Sequence, residues 1–87
     1  MRVVVEVTPG DIVDGVAGDP CRCPIAVAMK RVLPGRVVDV YPDGFIIGGD
    51  EIKAPQVAKE FVRCFDCLGT AGPITFEIEV SDDEAAA

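Results

Sequence analysis

The side chains best equipped for chemistry in this sequence are its four cysteines, spaced Cys21-x-Cys23 and Cys64-x-x-Cys67, and the bases around the first pair. Two thiolate pairs are the right number of ligands for a tetrahedral zinc ion. The spacing argues against one. C-x-C is tighter than the usual zinc knuckle, and the second pair falls inside a helical pattern, where Cys64 shares a stripe with Phe61 and Leu68 and reads as a small core residue. The expectation is therefore no metal and no cofactor. There is no His, no Trp and no Asn, and the single Ser is Ser81. A Ser–His or Cys–His nucleophile pair cannot be assembled from this inventory. Carboxylates are plentiful, but no recognisable motif frames a catalytic pair of them. The expected protein binds rather than catalyses.

The stretch Gly18-Asp19-Pro20-Cys21-Arg22-Cys23-Pro24 is the least ordinary part of the chain. It reads as a tight loop entering a helix at Pro24, a residue suited to the first helical position. Cys23 directly precedes that helix, where backbone N–H groups, the helix dipole and neighbouring Arg22 would lower a thiol pKa. A packed cap residue is the competing reading, and the lack of a basic partner such as His favours it. The same helix start offers N–H groups to an anion, with Arg22, Lys30, Arg31 or Arg36 available to converge on a phosphate or carboxylate. Gly18 would let a ligand approach the backbone. The candidate ligand-binding set is Gly18, Asp19, Arg22, Cys23, Lys30 and Arg31; its bland counterpart is a solvated rim of bases on an acidic protein.

The elements that must position these residues follow from periodicity. Val3, Val5 and Val7 alternate with Val4 and Glu6 as a first strand. Thr8-Pro9-Gly10-Asp11 opens a short helix with a capping box, and Ile12, Val13 and Val16 are its expected buried side. Ile25, Ala28, Met29 and Val32 fall on one face of the second helix, which Pro34-Gly35 stops. Val37–Tyr41 and Phe45–Ile47 flank the turn Pro42-Asp43-Gly44, and a brief strand follows around Glu51–Lys53. A third helix begins near Pro55 with Val57, Ala58, Phe61, Cys64, Phe65 and Leu68 as its stripe. Ile74, Phe76, Ile78 and Val80 alternate in a last strand, expected beside the first. The order β-α-α-β-β-(β)-α-β defines an α+β fold, a small antiparallel or mixed sheet of four to five strands with three helices. One compact domain is expected over 1–80, followed by an acidic tail over 81–87.

Fifteen acids against eight bases give a formal charge of −7. That argues against binding long nucleic acid, which needs a continuous basic face. No apolar run is long enough to span a bilayer, and the N-terminal pattern reads as a strand rather than a signal peptide, so the expected location is cytoplasmic. Hydrophobic residues make up 49% of a chain too short to hide them all, which points to a homo-oligomer, most simply a two-fold dimer.

The segment running from Ile12 through Gly18-Asp19-Pro20-Cys21-Arg22-Cys23-Pro24-Ile25-Ala26-Val27-Ala28 resembles small proteins encoded by bacteriophages of high-GC bacteria and by their hosts. So do Phe61-Val62-Arg63-Cys64-Phe65-Asp66 and Pro73-Ile74-Thr75-Phe76-Glu77. That group carries small residues such as alanine where this chain has Cys64 and Cys67, which speaks against a role needing all four thiols. The resemblance implies a phage-type accessory protein working in the host cytoplasm against host enzymes or immune signals. Two functions follow as expectations. One is sequestration of a small anionic ligand such as a nucleotide immune signal. The other is inhibition of, or adaptation to, a host protein through an apolar and acidic surface. The tail pattern carries its own expectation: with little apolar content to bury, removing residues 81–87 should leave the melting temperature almost unchanged, and a drop of several degrees would show that the tail is docked.

Overall fold

A computed structural model describes residues 2–80. The expectation for the tail over 81–87 lies outside them. The chain runs β1 (Arg2–Val7), α1 (Pro9–Asp14), α2 (Pro24–Val32), β2 (Val38–Tyr41), β3 (Gly44–Ile47), β4 (Asp50–Lys53), α3 (Gln56–Leu68) and β5 (Ile74–Glu79). The α+β class, the three helices and the element order are those read from the sequence. The five strands, however, divide between two antiparallel sheets instead of gathering in one. β1 pairs with β5 from Arg2 opposite Glu79 to Val7 opposite Ile74. β2, β3 and β4 form a meander.

The reason for the division is α2, which packs against both β1 and β2 and so joins the sheets through side chains rather than hydrogen bonds. Ile25, Ala26, Ala28 and Met29 on this helix are wholly removed from solvent. Phe45 of β3 and Phe76 of β5 complete the join, their rings stacked with centroids 5.9 Å apart. The β3–β4 connection is the two-residue turn Gly48-Gly49, with φ of 59° and 92°. Two consecutive left-handed residues suit the twist of a tight hairpin, and glycine adopts them without steric cost.

The apolar stripes of all three helices differ in part from expectation. Val13 is 81% exposed and Val16 is exposed too; the six-residue α1 turns inward with Asp11 and half-buried Ile12. On α3 the buried set is Ala58, Phe61, Val62 and Phe65, a clean i, i+3, i+4, i+7 pattern. Leu68 lies beyond its reach at the helix end, 72% exposed beside Gly69, whose φ of 76° terminates the helix. Val32 is likewise partly exposed at the end of α2.

Asp11 is the one buried charged residue among those described, 4% exposed. Its Oδ2 accepts the Thr8 N–H at 2.9 Å while Thr8 Oγ1 accepts the Asp11 N–H at 3.2 Å, completing the capping box. Arg31 of α2 then grips both carboxylate oxygens, Nη1 at 2.7 Å and Nη2 at 2.8 Å, and Nη2 also donates to the Glu6 carbonyl at 2.9 Å. One guanidinium thereby ties the end of β1, the start of α1 and the last turn of α2. The Arg31 hydrogen bonds are the main reason the Asp11 carboxyl is held down at about 2, below its ordinary 3.8, against the opposing effect of burial. A depressed carboxyl contributes stability that is complete above its unfolded value and is lost as pH falls through its folded one. Unfolding free energy is therefore expected to decline as pH drops from 3.8 towards about 2. Arg31→Ala should cost about 2 kcal/mol at neutral pH, near the lower end for charged hydrogen bonds because the guanidinium is half-exposed. Urea titrations of both proteins across this pH range check both statements. An unchanged acid limb in the variant would contradict them.

Candidate functional site

The loop between α1 and α2 is organised by Asp19. Its carbonyl accepts the N–H groups of Arg22 at 3.2 Å and Cys23 at 2.9 Å, and its Oδ1 accepts the Cys21 N–H at 2.9 Å. The Val16 N–H donates to the Arg22 carbonyl at 2.8 Å and closes the loop. Two further bonds fasten it to the rest of the fold: the Gly18 N–H donates to Asp66 Oδ1 of α3 at 3.0 Å, and the Val40 N–H of β2 donates to the Pro20 carbonyl at 2.8 Å. Gly18 sits at a φ of 75°, with open space where a side chain would point. Glycine is thus needed there for backbone conformation, not for room.

Beneath the loop lies a cavity of about 200 Å³. Gly18, Asp19, Pro20 and Cys23 line it from the loop, Val40, Tyr41 and Pro42 from the end of β2, and Val62 and Asp66 from α3. The structure brings Gly18, Asp19 and Cys23 together as the sequence suggested, but Arg22, Lys30 and Arg31 do not line the cavity. Arg31 is committed to Asp11, and the Lys30 ammonium donates to the Cys21 carbonyl. The start of α2 is also closed: Ile25 and Ala26, which carry its leading N–H groups, are fully buried. The charged groups at this cavity are the carboxylates of Asp19 and Asp66, which repel a phosphate.

Cys23 is a buried cap. Burial pushes its thiol pKa up, the nearby amides of Ala26 and Ile25 draw it down, and the charges of Asp66 and Asp19 push it up again, with a net rise. The helix-start activation expected from sequence is outweighed by desolvation. Cys21 is exposed and donates its thiol proton to Asp39 Oδ1 at 3.0 Å, an interaction that also raises its pKa. Cys64 Sγ contacts the Thr70 carbonyl at 3.6 Å, and Cys67 is exposed. All four are free thiols, and among the described residues no group of three or more Cys, Asp or Glu is arranged to hold a metal ion.

A larger depression, about 400 Å³, lies on the outer face of the β2–β3–β4 sheet. Here the inward residues are Val38, Val40, Phe45 and Ile47, so the strand period of two sends Asp39 and Tyr41, Gly44 and Ile46, and Glu51 and Lys53 outward. Register aligns them in two rows, Asp39–Ile46–Glu51 and Tyr41–Gly44–Lys53. Gly44 is dictated by the close strand approach, since a Cβ there would stand 2.8 Å from the Ile52 carbonyl oxygen. The backbone of β4 fills the space a side chain would take there, and the depression itself is lined by Tyr41, Asp43, Gly44, Phe45, Ile46, Glu51, Ile52 and Lys53. In the sequence Pro42-Asp43-Gly44 reads as a turn only. Carrying the alternation across all three strands would have found this face.

Compared with protein-family models, with curated proteins and with solved structures, the chain matches none. No helix among the described residues is long and apolar enough to cross a membrane. The thiol environments predict an order of modification under native conditions at neutral pH: Cys67 first, Cys21 more slowly, and Cys23 only on unfolding. Asp39→Asn should speed labelling of Cys21. Mass-spectrometric mapping after brief alkylation checks the order, and early labelling of Cys23 would contradict its assignment as a packed cap.

Proposed function

We propose that this protein is a non-catalytic interaction module that engages a basic segment of a partner protein on the outer face of its three-stranded sheet. The observation carrying this reading is the depression of about 400 Å³ on that face, where Tyr41, Ile46 and the carboxylates of Asp43 and Glu51 line one surface with Gly44 and Lys53. An arginine entering the depression would stack on the Tyr41 ring and pair with Asp43 or Glu51, while a neighbouring apolar residue covers Ile46. The charge of −7 favours encounter with a positively charged surface. The resemblance to phage accessory proteins supplies a setting for the proposal: a host protein bound in the host cytoplasm.

Sequestration of an anionic nucleotide at the Gly18–Pro24 loop is the weaker reading. A phosphate there would meet Asp19 and Asp66, and two of the bases meant to receive it are hydrogen-bonded within the protein. Amide chemical-shift mapping separates the two. Titration with a short Arg/Leu-rich peptide should move the resonances of Tyr41, Gly44, Ile46 and Lys53 saturably, and Glu51→Lys should weaken binding about tenfold, the worth of a charged hydrogen bond. A panel of linear and cyclic nucleotides should leave the spectrum unchanged. Saturable nucleotide shifts around Gly18–Cys23, with none from the peptide, would overturn the proposal in favour of sequestration.

A further inference from the structure

Among the described residues β1 pairs with β5 alone, so the two-stranded sheet has an unpaired β1 edge. Which backbone groups face that edge follows from Arg31, whose guanidinium reaches the Glu6 carbonyl from outside the ladder. In an antiparallel pair, residues alternate between bonding to the partner strand and pointing away from it. Glu6, Val4 and Arg2 therefore share the outward direction. The same three residues expose their side chains, Val4 by 52%, while Val3, Val5 and Val7 are buried.

That edge is complementary to itself. Set antiparallel about a two-fold axis through Val4, one β1 places its Arg2 opposite Glu6 of a second copy and its Glu6 opposite Arg2. Val4 then meets Val4 in a pair that exchanges two backbone hydrogen bonds. Opposite charges and β-branched side chains in directly facing positions are the pairings that stabilise a sheet. The Glu6 carbonyl keeps a lone pair for the incoming N–H of Arg2 beside its bond from Arg31. Arg2, already near Glu79 and Glu77 on its own β5, would then sit between acids on both sides. We propose that the protein forms a two-fold dimer by β1–β1 pairing in this register, giving a continuous four-stranded sheet in the order β5–β1–β1–β5. The three-stranded sheets lie outside this contact, so a dimer would carry two copies of the face described above; the inference does not rest on that face.

Charge reversal tests the register. Sedimentation equilibrium from micromolar to millimolar concentration should give wild-type dimer at the upper end. Arg2→Glu places Glu opposite Glu in both symmetric pairs, and Glu6→Arg places Arg opposite Arg. Each should weaken self-association about tenfold or more. Mixed together the two variants regain both opposite-charge pairs, and native mass spectrometry should show a heterodimer. A wild-type monomer at every concentration, dimers indifferent to both substitutions, or folded variants that fail to recombine would each overturn the proposal. Should a variant lose its circular-dichroism signature, amide exchange on the wild type decides. Protection of the Val4 and Glu6 N–H groups must then rise with protein concentration, and concentration-independent exchange there refutes the dimer.

Discussion

The contact between Arg31 and Asp11 holds three elements that sequence proximity alone would leave loose. α1 has six residues, too short to persist on helix propensity, and it exposes most of its apolar side chains. What fixes it is a carboxylate that caps its own first turn and simultaneously receives a guanidinium from α2. The third donation, to the Glu6 carbonyl, sets the end of β1 against the same helix. With these fixed, α2 lies where its buried face can serve both sheets, and the loop between the helices has two firm ends.

The electrostatics of the molecule then decide what its surface can receive. The sequence offers several bases around the second helix as anion receptors, but Arg31 is consumed by Asp11 and Lys30 by the Cys21 carbonyl. Carboxylates meanwhile occupy the open positions: Asp66 fastens Gly18 and borders the loop cavity, and Asp43 and Glu51 rim the depression on the sheet. Two of the bases nearest the loop are thus committed within the protein, while carboxylates border both depressions. The proposal of a basic partner segment rather than a phosphate ligand rests on this distribution of charge.

The alternation of Val3, Val5 and Val7 and of Phe76 and Ile78 made the terminal strands and their adjacency legible, because a one-sided strand must bury one face. Thr8 and Asp11 announced the capping box, and Pro24 the start of α2, since both signals are local. The separation into two sheets was not legible: it depends on α2 facing β1 and β2 at once, a relation between residues far apart in sequence. Nor could the sequence show that Arg31 would be taken up by a carboxylate twenty residues earlier. Cys23 misled for a different reason. The helix start that lowers a thiol pKa was correctly placed, but its burial, which wins, is a tertiary property.

Pairing of the first strand with the last has a consequence for how the molecule is made. β1 leaves the ribosome before β5, its hydrogen-bonding partner in the structure, which lies some seventy residues further along the chain, with Arg2 and Glu79 separated by 77 positions. At bacterial-to-eukaryotic elongation rates of about 5–20 residues per second, the Arg2–Val7 segment waits several seconds for β5. Throughout that time three valines that end up in the core have no ladder to join, and closing so long a loop is among the slower routes to a native contact. Arg2 precedes these valines and Glu6 interrupts them, charged gatekeepers that during this interval discourage random aggregation of an apolar strand whose proper partner has yet to be synthesised.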